Sequence, residues 1–174
     1  MQYAHGGDIY TYKNLLDFSI NVNPLGPADA VVEAAARSLQ RIGEYPDSQS
    51  RELRNALAEK KGLAAEQFVI GNGAADLLFS LVLAEKPQKA MIVIPAFSEY
   101  EQALKTVGCE ILYHEVKKEN NFRLGTDLTE KITSELDFLF LCSPSNPAGQ
   151  AVEKEFLIKI AEKCEKERVR LVLD

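Results

Sequence analysis

Histidine is nearly absent from this chain of 174 residues, occurring at positions 5 and 114 alone. A histidine-rich metal centre or a paired-imidazole proton relay therefore has little to build on. Cysteine is scarce too. Cys109, Cys142 and Cys164 are odd in number and far apart, which fits neither a disulfide framework nor a CxxC metal site and predicts reduced, mostly buried thiols. Basic side chains are outnumbered, 20 against 26 acidic, for a net charge of -6, and no Lys/Arg stripe interleaves with aromatics. Such a surface repels a phosphate backbone, so nucleic acid is a poor partner and a small-molecule role fits better. No apolar run approaches the roughly 20 residues that cross a bilayer. The start, MQYAHGGDIY, also lacks the basic head and apolar core of a leader. The expectation is a cytoplasmic protein with no membrane contact.

What is present is the composition of one soluble globular unit with a real core, 46% hydrophobic and 26% charged. ADAVVEAAARSLQRI, residues 28 to 42, has helical apolar spacing behind Pro24 and Pro27. SRELRNALAEKKG predicts a second helix, from Ser50 to Gly62, with Lys60 and Lys61 facing the carbonyl end of its dipole. An alternation follows: strand QFVI into GNGAAD and a helix to Leu83, then strand KAMIVI into PAFSEY and a helix to Val107. Strand EILYHEV, the turn KKENNFRLG and a short helix near 126 to 134 come next. Strand DFLFLC, loop SPSNPAGQ, helix VEKEFLIKIAEKCEKE and strand VRLVLD complete it. Strands alternating with helices predict an α/β fold, a mostly parallel sheet covered on both faces in three layers. An N-terminal arm and helix pair, residues 1–62, would precede the α/β part, 63–174. A parallel strand stopping at Asp174 leaves a raw edge, so the expectation is a fragment of a longer chain.

Ligands of open α/β sheets bind outside the carboxyl ends of the strands, where GNGAAD, PAFSEY, SPSNPAG and Asp174 are predicted to converge. Gly71 and Gly73 permit close approach of a ligand, and the N–H groups of Ala74, Ala75 and Asp76 open a helix whose positive end attracts a phosphate. An ordinary tight turn is the alternative. A dinucleotide fingerprint is disfavoured, because the next strand ends in Pro95 where an acidic residue is wanted. Phe97 and Tyr100 can stack on a flat heterocycle or simply pack over the sheet. Pro144 and Pro147 fix the backbone around Asn146, whose amide either donates to a ligand oxygen or closes the turn. Asp174, at the end of a buried strand, needs a cation or hydrogen-bond partner, which a protonated ring nitrogen would supply. Lys154, Lys159 and Lys163 read as a solvated helical face beside glutamates. Phosphate cradle, stacking aromatic, oxygen-directed amide and ring-nitrogen carboxylate together describe a site for pyridoxal 5′-phosphate (PLP).

With HGG at 5–7, DFSINVNPLGP at 17–27, YPD at 45–47, GNGAAD, KAMIVIPAFSEYEQAL, GCEI at 108–111, LDFLFLCSPSNPAGQ and LVLD, the chain resembles the fold-type I PLP enzymes. Within them it resembles the histidinol-phosphate aminotransferase group. HGG and DFSINVNPLG tilt the likeness toward the L-threonine-O-3-phosphate decarboxylases of cobalamin biosynthesis. The resemblance implies a homodimer acting on a small phosphorylated amino acid. It implies that Ala74, Ala75 and Asp76 line the cofactor phosphate, that Tyr100 stacks on the pyridine ring with Phe97 nearby, that Asn146 bonds its phenolic oxygen and that Asp174 holds its ring proton. Tyr45 would reach the cofactor phosphate of the neighbouring subunit, and His5 and Asn23 would close over the substrate. The cofactor-bearing lysine and the carboxylate-binding arginine are expected beyond Asp174. An aminotransferase of the histidinol-phosphate type and a truncated, non-catalytic cofactor- or partner-binding domain are the competing expectations.

Overall fold

The computed structural model describes residues 6–11, 13 and 16–174; His5 lies outside the described residues. The chain forms two compact units, Met1–Phe68 and Val69–Asp174.

In the first unit, α1 spans Asp29–Ser38 and runs on through a 3-10 turn at Leu39–Arg41. Helix α2 spans Arg51–Lys61. Asp47 organises its start, accepting the Arg51 N–H at 2.8 Å and the Gln49 N–H at 3.1 Å, and Gly62 ends it in the left-handed conformation at φ 66°. A 3-10 turn, Ala65–Gln67, follows and is pinned to α2 by Arg54 Nε donating to the Ala65 carbonyl at 2.9 Å. The expected strand QFVI does not form. Its first residue belongs to that turn, and residues 68–70 pair with no strand of the sheet, leaving Val69 75% exposed. Extended backbone becomes a strand only through a ladder.

The second unit is the α/β part. Helix α3 (Gly73–Glu85) leads to β1 (Lys89–Ile94), α4 (Ser98–Thr106) to β2 (Glu110–Glu115), and α5 (Leu128–Lys131) to β3 (Phe138–Leu141). Helix α6 (Lys154–Glu167) leads to β4 (Arg170–Leu173). All pairings are parallel, in the order β2-β1-β3-β4, with Ala90 level with both Ile111 and Phe138, and Phe138 level with Arg170. Successive strand residues point to opposite faces. Ala90, Ile92, Phe138 and Phe140 therefore meet Leu78 and Val82 of α3 and Ala103 and Leu104 of α4 on one side. Met91, Val93, Leu139 and Leu141 meet Leu128 of α5 and Ile160 and Cys164 of α6 on the other. The result is the expected three-layer, parallel α/β arrangement. Central β3 is buried along its whole length, which explains its unbroken FLFL, whereas β4 lies at an edge and is half exposed.

Candidate functional site

The strand order places a site before any side chain is considered. From β1 the chain crosses through α4 to β2 on one side, while β3 lies on the other side of β1 and feeds α6 on the opposite face. The loops leaving β1 and β3 therefore part, opening a crevice at their carboxyl ends, the place where open α/β sheets bind ligands. Residues 95–97 and 142–150 form its two sides.

The third element at that edge is the start of α3. Its last residue, Glu85, bonds Arg170 at the start of β4 at 3.2 Å, and three residues join it to β1. The helix spans about 20 Å, as does a six-residue strand, and Leu78 and Val82 pack it against Ala90, Ile92, Phe138 and Phe140 of β1 and β3. Gly73, its first residue, stands at φ +84°, a backbone conformation at which side-chain-bearing residues are strained. Gly71 is packed closely: a Cβ on it would lie 2.8 Å from Leu77 Cδ2 and 2.9 Å from Asp76 Oδ2. The Asp76 carboxylate accepts the Asn72 N–H at 2.8 Å. Beside it, the backbone N–H groups of Ala74 and Ala75 lie in the first helical turn, where no intrahelical acceptor exists, and that of Asp76 closes the turn.

Across the crevice, the loop after β3 is held by its own backbone. Ser145 N–H donates to the Gln150 carbonyl at 2.8 Å, Gly149 N–H to the Ser145 carbonyl at 2.6 Å, and Val152 N–H to Ser143 Oγ at 3.0 Å. The Ser143–Pro144 and Asn146–Pro147 bonds are both cis. Asn146 is exposed, and its side chain makes no hydrogen bond with another described residue. The amide that sequence reasoning singled out is thus not consumed by its own turn.

Asp174 is joined to β3 on both sides, its N–H donating to the Leu141 carbonyl at 3.0 Å and its carbonyl accepting from Ser143 N–H at 2.9 Å. Asp174, the last residue of this chain, is exposed. Its side-chain partner is neutral, the Tyr100 hydroxyl, which donates to Oδ2. Nothing in the sequence announces this pair, whose members lie 74 positions apart; the available signal was that a buried tyrosine hydroxyl must find an acceptor.

Tyr100 packs over the sheet, one of the two places open to it. It is 1% exposed, stacked on Phe140 at 5.3 Å and nearly perpendicular to Phe97 at 5.9 Å. The helical spacing that put it near the crevice also turned it inward. Burial, reinforced by the Asp174 carboxylate and by Cys142, pushes its phenol far above the ordinary tyrosine range. It remains a donor at any working pH. Phe97, half-buried at the helix entrance, is the ring nearer solvent.

In the first unit, both polar atoms of Asn23 are engaged in its own turn, Nδ2 with the Gly26 carbonyl at 2.9 Å and Oδ1 with the Leu25 N–H at 3.0 Å. Tyr45 is 94% exposed. No cluster of potential metal ligands occurs among the described residues, and none of their helices is long and apolar enough to cross a membrane.

Comparison with known proteins accords with this geometry. The family model for aminotransferase class I and II matches residues 13–174. The chain belongs to that family. Over 179 aligned residues it is 38% identical to threonine-phosphate decarboxylase of Salmonella typhimurium, covering 98% of this chain and 49% of the relative. It is 35% identical to histidinol-phosphate aminotransferase of Methanococcoides burtonii, covering 86% of this chain and 42% of the relative. Among solved structures, histidinol-phosphate aminotransferase of Clostridium acetobutylicum superposes with a TM-score of 0.78 at 27% identity, over 92% of this chain and 47% of that one. The chain spans about half the length of the curated relatives it matches. The family's cofactor is PLP. The donor set fits part of that group: unfilled first-turn N–H groups suit its phosphate, the free Asn146 amide suits an oxygen, and the exposed Asp174 carboxylate suits a protonated ring nitrogen.

Proposed function

We propose that the complete protein decarboxylates L-threonine O-3-phosphate to (R)-1-amino-2-propanol O-2-phosphate and carbon dioxide, in cobalamin biosynthesis. The observation that carries this reading is the 38% identity to a threonine-phosphate decarboxylase over 98% of the chain, including the HGG and DFSINVNPLG segments. When bound, PLP supplies an electron-accepting ring for the electrons left as a bond to Cα breaks. The chain's own residues bind and orient. Backbone N–H groups of Ala74, Ala75 and Asp76 hold the phosphate at the positive end of α3. Asn146 donates to the phenolic oxygen, and Asp174 holds a proton at the ring nitrogen. Tyr100 stacks on the ring, with Phe97 nearby. Tyr45 reaches the cofactor phosphate of a second subunit in a cytoplasmic homodimer, and His5 and Asn23 close over the substrate phosphate. Residues 1–62 form the arm and small-domain contribution, and 63–174 the first part of the PLP-binding domain, with the cofactor-bearing lysine further along the complete protein.

Transamination of histidinol phosphate is the second reading, supported by the 35% identity and the TM-score of 0.78 to histidinol-phosphate aminotransferases. The test is carbon dioxide release from L-threonine O-3-phosphate by the complete protein with PLP and no oxo acid. Release is the expected result. A folded, PLP-loaded protein that releases none and instead transfers its amino group to an oxo acid is an aminotransferase. Failure to take up PLP would leave a non-catalytic domain.

A further inference from the structure

We propose that Asp47 is the positioning residue of Tyr45: it locks the turn between α1 and α2 so that the tyrosine ring projects from it in one direction, toward the cofactor site of a second copy of this chain. This inference rests on the proposed role of Tyr45 at the PLP phosphate of a second subunit. It gives the third residue of the YPD motif a task of its own.

Tyr45 is 94% exposed, so its direction is set by the backbone rather than by packing within its own chain. Pro46 narrows Tyr45 to extended conformations and fixes its own φ. Asp47 then ties that backbone down. Its Oδ1 accepts from the Gln49 N–H at 3.1 Å and from Arg51 Nη1 at 2.8 Å, its Oδ2 accepts from the Arg51 N–H at 2.8 Å, and its carbonyl accepts from the Ser50 N–H at 2.9 Å. Between the two backbone donors to the carboxylate lies Ser50 at φ 49°, a left-handed conformation that a side-chain-bearing residue keeps only where its surroundings impose it. The Asp47 side chain spans that residue and imposes it. The Arg51 and Gln49 N–H groups hold the Asp47 carboxyl below the usual carboxylate range, so these bonds persist at working pH. On the other side of Tyr45, the Glu44 N–H donates to the Arg41 carbonyl at 3.0 Å, and Arg41 Nε and Nη2 both reach Glu44 Oε2 at 2.9 Å. Each carboxylate flanking the tyrosine is thus matched by an arginine, and the tip carries no net negative charge to repel a phosphate. A helix start needs one acceptor from its cap. The second oxygen, the guanidinium and the strained serine serve a turn that must keep one shape.

The test is a double-mutant cycle in the complete protein, read as the dissociation constant of PLP and as the thermal midpoint of the cofactor-free form. Tyr45→Phe removes only the hydroxyl and is expected to weaken PLP about tenfold with an unchanged midpoint. Asp47→Ala is expected to weaken PLP about tenfold as well and to lower the midpoint. In the Tyr45→Phe background, Asp47→Ala is expected to change affinity less than about twofold, because the group being positioned is gone, while lowering the midpoint as before. Should Asp47→Ala fail to fold, Arg51→Gln, which keeps the backbone N–H bond, carries the same cycle with an expected loss of about threefold. Unchanged affinity in Asp47→Ala beside a loss in Tyr45→Phe would overturn the proposal. Equal losses in both backgrounds would overturn it too, by assigning Asp47 to helix capping alone. Tyr45→Phe binding PLP as tightly as wild type would overturn the reading of Tyr45 on which the proposal stands, an outcome separable from the first two.

Discussion

Ser143 and Asp174 are joined main chain to main chain, the N–H of Ser143 donating to the carbonyl of Asp174 at 2.9 Å. One bond thereby ties the loop that carries Asn146 to the strand end that carries the carboxylate. The two side chains proposed to address the ring nitrogen and the phenolic oxygen of the cofactor are thus placed by the same stretch of parallel ladder, which any substitution confined to a side chain leaves standing.

Asp174→Asn tests the carboxylate within that frame. It preserves shape and the ladder bonds while removing the charge that would hold a ring proton. The expected outcome is a fall in turnover of about 100-fold or more, with stability within about 0.5 kcal/mol of wild type because asparagine keeps the side-chain shape and the ladder bonds. Steady-state carbon dioxide release and denaturant midpoints on the complete protein measure the two quantities. Turnover near normal would remove Asp174 from the chemistry.

Asn146→Ala separates a ligand-facing amide from a turn-closing one. The side chain has no partner among the described residues, so the expected stability change is within about 0.5 kcal/mol, while PLP dissociation accelerates. Asn23, with both polar atoms engaged in its turn, should behave the other way: Asn23→Ala loosens the segment at 23–26. A stability loss at position 146 above about 1 kcal/mol with unchanged PLP release would return Asn146 to a structural role.

The contrast among these residues shows what the sequence made legible. Local chemistry came through: the apolar FLFL of a strand covered on both faces, the glycine stop after Lys61, the helix starting in GNGAAD and the loop around Pro144 and Pro147 all stand where pattern and turn chemistry put them. Pairing did not come through. QFVI has strand composition, yet whether it is a strand depends on a neighbour to bond with, and composition contains no neighbour. The facing of Tyr100 was illegible for a related reason. Its position on α4 sets which end of the sheet it is near, but whether its ring faces the crevice or Phe140 depends on how α4 rotates over β1 and β3. The bond from Tyr100 to Asp174 lies wholly in that tertiary register.

Gly71→Ala probes the phosphate cradle through packing. The added methyl would meet Leu77 Cδ2 at 2.8 Å and Asp76 Oδ2 at 2.9 Å, so the carboxylate must leave the Asn72 N–H and the first turn of α3 must shift. Overpacking of this kind costs about 1–3 kcal/mol, and a carboxylate pushed over the helix N-terminus competes with a bound phosphate. The expected result is a lowered denaturant midpoint together with weaker PLP binding. Gly73→Ala has open space for its methyl and should cost only the backbone strain of φ +84°, about 1–2 kcal/mol. If Gly71→Ala proves the milder change, the contact to Asp76 does not govern the cradle.

His114 supplies a pH dependence away from the crevice. It is 3% exposed on β2, with Lys131 Nζ 3.1 Å from its Nδ1. Burial first, and then the Lys131 charge, hold its pKa below the ordinary 6.5, while Asp127 acts in the opposite direction without reversing the shift. A folded-state pKa below the unfolded value means that the unfolded chain binds the extra proton between the two. Stability from the neutral imidazole is therefore fully present above about pH 6.5 and is lost as pH falls from there through the folded-state pKa. Carboxylates begin to contribute only nearer pH 5, which leaves a window in which the imidazole can be seen. Denaturant midpoints of the complete protein should fall between pH 7.5 and pH 5.5, and the fall should be largely absent in His114→Gln. Parallel curves for the two proteins would show that another group titrates in that window and that the Lys131 contact is not what excludes the proton.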